Sequence, residues 1–350
     1  MNKKFMASIV LSVLLIIFFS NVSAQSKIEI TGGGATFPQP FYSKLFDIYY
    51  NLKGVKVNYQ GIGSGGGIKG LTDKTMDFGA TDAPMTDEEE KLAQNPIIHF
   101  PTCLGAVVVI YNLPGNPSIR LTGDLVAKIF MGKITKWNDP EIAKVNPDVK
   151  LPKLQIIVTR RTDGSGTTYI FSEYLTKVSK EWASTLGTGK SLNWSQATIG
   201  QKGNPGVAGF VTQTPGAIGY VELVYAIQNK IKYASIQNSS GNFIEPTLDS
   251  VSASANVNIA DDTKVSLTNS SSKDGYPMSS FTWIILYAEQ NYNNRNFEMV
   301  KAMLELFWWM IHDGQKYAKE LGYAPLPASA VKKAEAQLKK VTFNGVPILK

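Results

Sequence analysis

Apolar and polar residues change rhythm repeatedly along this chain, and the changes predict a succession of short strands and helices. Lys27 to Thr31 alternates like a strand. Thr36-Phe37-Pro38 then places a proline near the first turn of a helix. That helix runs to about Tyr50, with Tyr42, Leu45, Phe46 and Tyr49 at apolar helical spacing. Val55 to Gln60 predicts a second strand, the glycine turn at 61–67 leads into a helix through Leu71, and Asp77 to Ala80 predicts a short buried strand ending at Thr81-Asp82-Ala83-Pro84. The β-α-β-α-β order marks a parallel sheet with ligands at the strand C-termini.

Farther along, Ile97 to Tyr111 is a β-rich apolar stretch long enough to leave one domain and enter the next, and Ser280 to Tyr287 reads as a second such crossing. Between them the pattern predicts a helix over 121–138 broken at Gly132, a buried strand over 154–159, a helix over 169–178 and a strand over 217–221. Residues 238–272 are rich in Ser and Asn and read as surface loops with some helix. Residues 298–321 predict one long apolar-faced helix. The two crossings divide the chain into a discontinuous first domain, 25–103 with 281–350, and a continuous second one, 104–280. Hinges are expected near Thr102 to Gly105 and near Ser279 to Trp283. No repeat recurs at a fixed period.

The first 24 residues have the plan of an export signal: Lys3 and Lys4, then the apolar run Ile9 to Phe19, then Val22-Ser23-Ala24 at the cleavage site. Cleavage near Ala24 leaves Gln25 first, and no Cys follows to take a lipid, so a soluble, exported product is expected. The two lysines are the leader's only charges, so cleavage lowers the formal net charge of +7 by two. A charge that small and that dispersed suits attraction of small anions and does not form the basic stripe of a nucleic-acid binder. The 350 residues exceed what one hydrophobic core serves, which fits two domains. The single Cys103 makes no internal disulfide, and with only two His the usual ligands of a transition-metal cage are missing. No metal and no cofactor are expected.

Three glycine-rich turns bearing hydroxyls carry the chemistry: Gly33-Gly34-Ala35-Thr36-Phe37, Gly61-Ile62-Gly63-Ser64-Gly65-Gly66-Gly67, and Arg160-Arg161-Thr162-Asp163-Gly164-Ser165-Gly166-Thr167. Each is expected to open a helix, whose N-terminal N–H groups and partial positive charge, with close-approaching glycine backbone and Ser or Thr donors, suit a small oxyanion. Arg161 offers a bidentate guanidinium fork that Asp163 can orient, and Ser165 with the N–H groups of Gly166 and Thr167 donates from the helix mouth. Taken singly, each turn is also what helix capping produces. Asp82 stands out beside them. A carboxylate repels an anion unless a proton lies between the two, so an oxyanion that keeps a hydrogen is accepted and a fully ionised one refused. Phosphate keeps a proton near neutrality and sulfate does not.

Other chemistries meet obstacles. Gly61-x-Gly63-x-x-Gly66 fits a dinucleotide fingerprint after a strand, but leaves the turn at 160–167 unexplained. Gly189-Lys190-Ser191 ends like a phosphate-binding loop of a nucleotide hydrolase, yet Ser184 stands where its first glycine belongs. An exported phosphatase using Ser165 as nucleophile is the alternative from a different class, although a base or metals would be needed to activate the hydroxyl. His99 and His312 read as structural. Asp87-Glu88-Glu89-Glu90 reads as a solvated first helical turn, and Trp308-Trp309 as core.

Gly-Ala-Thr-Phe-Pro at 34–38, Asn-Tyr-Gln-Gly-Ile-Gly-Ser at 58–64, Asp-Phe-Gly-Ala-Thr-Asp-Ala-Pro at 77–84 and the turn at 160–167 closely resemble the periplasmic phosphate-binding proteins of Pst-type ABC transporters. So do Gly-Lys-Ile-Thr-Lys-Trp at 132–137, Pro-Gly-Ala-Ile-Gly-Tyr-Val-Glu at 215–222 and Tyr-Ala-Pro-Leu-Pro at 323–327. The resemblance spans essentially the whole mature chain. It implies an α/β, two-lobed periplasmic-binding-protein fold of type II-like plan, each lobe a mixed, mostly parallel sheet flanked by helices, hinged by two crossover strands. It also implies a non-enzymatic, monomeric periplasmic receptor that closes on one inorganic phosphate and delivers it to a membrane ABC permease. Carried over by position, the phosphate contacts would be Thr36, the Phe37 backbone, Ser64, Asp82, Arg161, Asp163, Ser165, Gly166 and Thr167. The departures are mild: Gly65 stands where a second Ser is common in the family, and Thr81 where Ser is common. An adhesin or signalling protein on the same fold is a further alternative.

Overall fold

A computed structural model describes residues 28–349; the leader read at 1–24 lies outside the described residues. The strands are, in chain order, β1 (Glu29–Gly34), β2 (Lys56–Gly61), β3 (Phe78–Thr81), β4 (Ile97–Tyr111), β5 (Arg120–Leu121) and β6 (Ile157–Arg161). They continue as β7 (Ile199–Gln201), β8 (Ala217–Glu222), β9 (Lys232–Tyr233), β10 (Ser235–Gln237), β11 (Phe243–Ile244) and β12 (Ser279–Tyr287), and end with β13 (Thr342–Phe343) and β14 (Val346–Pro347), which pair with each other.

One sheet runs through the molecule in the order β2-β1-β3-β12-β4-β8-β6-β7, with β9 also on β4, while β5, β10 and β11 make a small separate sheet. The β1–β2, β1–β3, β6–β8 and β6–β7 pairings are parallel, and β12 runs antiparallel to both β3 and β4. This is a mixed sheet in two halves, parallel in its outer parts and antiparallel where β12, β4 and β8 meet, not the mostly parallel one expected, and β4 belongs to both halves. Its residues through Ala106 pair with β12, and from Val107 they pair with β8. Every residue of β4 after Ile97 is buried, as a strand covered on both faces requires. Opposite the Thr282–Trp283 step the register shifts, so that Thr102 is the extra residue of a bulge. The Tyr323–Pro327 motif braces this stretch: Leu104 and Ala324 exchange two backbone hydrogen bonds of 3.0 Å, and the Tyr323 hydroxyl donates to the Phe37 carbonyl at 2.7 Å.

The helix Gln39–Lys53 buries Tyr42, Leu45, Phe46 and Tyr49, the face its spacing predicts, and stops at Gly54, which is left-handed at φ 72°. Four expectations shift. β1 runs through Gly34 and the helix opens only at Gln39, so Thr36 and Phe37 lie in the connection before it. The strand expected at 154–159 lies at Ile157–Arg161, so both arginines end a strand, and the following helix opens at Gly166. The helix expected over 121–138 is Gly123–Phe130. Gly132 turns left-handed (φ 76°), the Lys133 and Ile134 N–H groups close back onto the Lys128 carbonyl, and Lys136 bridges to Gln155. The long C-terminal helix is Phe297–Ile311, followed by 3-10 turns at Asp313–Tyr317 and Lys319–Leu321. There the Gln315 side chain takes the Met310 carbonyl and His312 Nδ1 the Trp308 carbonyl, side-chain partners that compete with a further helical turn.

Gly67 is where the helix Ser64–Thr72 lies against the sheet. A Cβ there would stand 2.6 Å from Gly34 Cα, 2.7 Å from the Gly33 carbonyl oxygen and 2.8 Å from that of Ala80, all backbone atoms of paired strands. Gly67→Ala is therefore expected to lower stability by about 1–3 kcal/mol or more. Thermal unfolding checks this, and an unchanged midpoint would contradict the close helix–sheet contact.

Candidate functional site

The connection after β1 has both carbonyls tied down. Tyr225 donates its hydroxyl to the Thr36 carbonyl at 2.6 Å, and Tyr323 donates to that of Phe37. In a planar trans peptide the N–H points opposite the preceding carbonyl, so the Phe37 N–H is turned away from Tyr225. The Thr36 side chain is buried. Its Oγ1 accepts from both the backbone N–H and the side-chain amide of Asn204, at 3.1 and 3.0 Å.

Ser64 opens its helix with Gly63 before it in the left-handed region, a position that brings the backbone close to Asp163 of the other half. Ser64 Oγ accepts from the Gly166 N–H at 3.0 Å and the Asp82 N–H at 3.2 Å. Asp82 follows β3 and is 1% exposed. Its Oδ1 accepts from Thr282 Oγ1 at 2.8 Å, and its Oδ2 lies 3.4 Å from Ser64 Oγ. Burial raises this carboxyl from 3.8 to about 7, against the opposing hydrogen bond from Thr282 and the charge of Arg161.

Arg161 ends β6 with its guanidinium almost fully buried. Nε donates to Asp163 Oδ1 at 2.8 Å, Nη2 pairs with Asp163 Oδ2, and Nη1 donates to Thr167 Oγ1 at 3.3 Å. Burial alone would raise the Asp163 carboxyl, but the hydrogen bonds and charge of Arg161 and the Gly203 N–H hold it below its ordinary value. Arg160, its neighbour, turns instead to Thr198 Oγ1 and to the Arg161 carbonyl. Ser165 caps the helix Gly166–Val178 by accepting from the Thr168 N–H at 3.0 Å. A Cβ on Gly166 would meet Asp82 and Ser64 Oγ at 2.6 Å, so the two halves touch here.

All nine residues singled out from the sequence thus lie along one seam between the halves of the sheet, and all are buried except Asp163, whose side chain is 10% exposed; the ring of Phe37 packs in the core. The Gly65 N–H, at the departure from the family pattern, donates to the Gly164 carbonyl at 2.8 Å across that seam. Neither histidine reaches Ser165. His99 accepts from the Met85 N–H, with burial and the Lys264 and Lys190 charges lowering it to about 3, and His312 pairs with Glu335.

Several site residues escaped the sequence reading. Asn204, Thr282, Tyr225 and Glu222 are fully or almost fully buried around the seam. Glu222, which closes the Pro-Gly-Ala-Ile-Gly-Tyr-Val-Glu motif, accepts from the Val224 N–H at 2.8 Å while its Oε1 has no partner among the described residues, and burial pushes its carboxyl well above the ordinary range. The acidic run is more than a solvated turn. Thr86 and Glu89 form a capping box, Glu89 pairs with Lys190 at 2.6 Å, and Glu90 pairs with Lys264, tying the rim of one half to the other. Among the described residues no group of His, Cys, Asp and Glu is placed to hold a metal, and no helix is long and apolar enough to cross a membrane.

Comparison with known proteins gives the family. Residues 21–311 match the family model of the PBP superfamily domain. The chain is 42% identical over 334 residues to the phosphate-binding protein PstS of Pasteurella multocida, covering 94% of this chain and 95% of that one. It is 37% identical over 337 residues to PstS of Methanocaldococcus jannaschii, covering 89% and 86%. Its fold matches the crystal structure of a phosphate-binding protein from Stenotrophomonas maltophilia with a TM-score of 0.68 at 17% identity, over 88% of this chain and 93% of that one. The two-lobed α/β architecture, the buried seam of donors around Asp82 and the identity over nearly the whole length place this chain in the PBP superfamily, in the family of the phosphate-binding proteins PstS.

Proposed function

We propose that the chain binds one inorganic phosphate between its two lobes and delivers it to the permease of a membrane ABC transporter, acting as a monomeric receptor in the periplasm after cleavage near Ala24. It carries out no chemistry on the anion. The contacts are Thr36, the Phe37 N–H, Ser64, Asp82, Arg161, Asp163 as the orienter of Arg161, Ser165, Gly166 and Thr167. The observation that carries this reading is the position of Asp82. A seam of hydroxyl, amide and guanidinium donors suits any small oxyanion, but a buried carboxylate among those donors admits only an anion that brings a hydrogen to share.

The lobes are residues 25–103 with 281–350, and residues 104–280. The change of β4 from its β12 partner to its β8 partner after Ala106 and the start of β12 at Ser279 support boundaries near these points. Hinges near Thr102 to Gly105 and Ser279 to Trp283 would absorb the motion at element ends.

Titration calorimetry of the purified mature chain tests the binding reading: phosphate is retained, and sulfate binds far more weakly at neutral pH. Sulfate binding strengthens as pH falls through about 7, because Asp82 then holds a proton it can donate. Asp82→Asn weakens phosphate binding, narrows the gap to sulfate and removes that pH dependence. Equal affinity of the unmodified chain for the two anions would refute the role of Asp82.

Arg161→Ala is expected to cost ~2–5 kcal/mol of phosphate binding, the usual loss of a buried charge partner. Arg160→Ala should stay within about 0.5 kcal/mol, because its contacts lie outside the seam. The same titration ranks the two, and the reverse order would redraw the contacts at the end of β6.

Small-angle scattering of the phosphate-free and phosphate-saturated chain should give a smaller radius of gyration in the saturated state. Superimposable curves would count against hinge closure.

A further inference from the structure

We infer that Asn204 is a positioning residue that fixes the hydroxyl hydrogens of Thr36 and Thr167 so that both threonines act as donors to the anion; the inference rests on the phosphate reading above. Asn204 is fully buried at the start of the helix Gly203–Gln213 and touches three elements at once. The orientation of its amide follows from one contact. Glu222 N–H lies 3.1 Å from Asn204 Oδ1, and a donor requires an oxygen opposite it. The amide nitrogen therefore faces the two threonines, and its two hydrogens are divided between Thr36 Oγ1 at 3.0 Å and Thr167 Oγ1 at 3.2 Å.

The consequence lies in the donor and acceptor count of a hydroxyl, which has one hydrogen and two lone pairs. Thr36 Oγ1 receives the Asn204 backbone N–H and the Asn204 amide, so both lone pairs are taken. Thr167 Oγ1 receives the Asn204 amide and Arg161 Nη1, and its lone pairs are taken as well. Each oxygen can only donate to whatever else approaches it. Neither hydroxyl hydrogen has an acceptor among the described residues, and the seam is where an anion's oxygens would supply one. A free hydroxyl turns either its hydrogen or its lone pairs toward a neighbour. Here the second choice, which would repel an anion, is blocked at Thr167 by partners on its own side of the seam, and at Thr36 by Asn204 across it. Because Thr36 and Asn204 come from opposite sides of the seam, this polarity is set only in the closed arrangement.

Asn204→Asp keeps the shape and the acceptor for Glu222 N–H but removes the two amide donors; Asn204→Ala removes the side chain. Phosphate titration of these variants, of Thr36→Val and Thr167→Val, and of each valine variant combined with Asn204→Ala separates polarity from packing, with thermal midpoints reporting folding. The inference expects Asn204→Asp and Asn204→Ala each to weaken phosphate binding on the order of tenfold or more. It also expects the factor due to Asn204→Ala to shrink at least about threefold in either valine background, since a missing hydroxyl needs no orienting. If Asn204→Ala does not fold, Asn204→Asp carries the test. Unimpaired binding by Asn204→Asp, or the same factor in every background, would overturn the role of Asn204. Failure of the unmodified chain to retain phosphate would instead overturn the binding reading.

Discussion

The backbone ladder of β4 is the constraint on which the rest of the molecule depends. One strand of 15 residues pairs with β12 along its first part and with β8 along its last, so the two halves of the sheet share a continuous hydrogen-bonded spine. The ends of β1, β3, β6 and β8 are brought to the seam by this arrangement. The bulge at Thr102 adjusts it: the Thr102 hydroxyl meets Tyr42 at 2.7 Å and donates to the Thr282 carbonyl at 3.3 Å, while the Thr282 hydroxyl reaches Asp82. A change in the register of β12 on β4 would therefore reach the carboxylate at the centre of the site.

Around that spine the polar groups are nearly all buried, and burial governs their charge. Asp82 and Glu222 are both pushed toward the protonated form, first by desolvation, and a neighbouring acid adds to it in each case: Asp163 for Asp82, and Asp82 for Glu222. Asp163 goes the other way because the guanidinium of Arg161 lies against it. The seam thus holds one firmly ionised carboxylate committed to an arginine and one carboxyl, Asp82, raised to about 7. These are opposite electrostatic duties carried by two aspartates, separated by their partners and not by their residue type.

Much of this was legible in the sequence where a short-range pattern encodes it. Ile97 to Tyr111 is apolar on both faces and forms a strand with those same bounds; the glycine turns mark close backbone approach, which Gly63, Gly67 and Gly166 all make. The misses have a common physical origin. The apolar faces over 121–138 and 298–321 predict helices longer than those found, because they persist past Phe130 and Ile311, where a left-handed Gly132 and the local side-chain bond of Gln315 to the Met310 carbonyl turn the chain. Asn204 carried no signal of its own, since a single Asn after a glycine turn is an ordinary loop residue, and its value depends on Thr36 lying 168 positions away. Glu89 and Glu90 fit a helix-dipole pattern locally, and only the fold reveals Lys190 and Lys264 opposite them.

These long-range contacts also bear on why a site for so small an anion needs so many residues that never touch it. A four-oxygen anion in a dry seam offers acceptors in every direction, and any protein lone pair facing it is as costly as a misplaced charge. Tyr225 and Tyr323 remove the carbonyls of Thr36 and Phe37 from the seam, and Thr282 engages one oxygen of Asp82. Each such bond turns an ambivalent group into one of fixed sign. On the proposed reading, the other oxygen of Asp82, 3.4 Å from the Ser64 hydroxyl, is the acceptor that meets a hydrogen of the anion. A hydrogen-bearing oxyanion satisfies every group in such a seam, whereas one without a hydrogen leaves two negative oxygens facing each other where water cannot screen them.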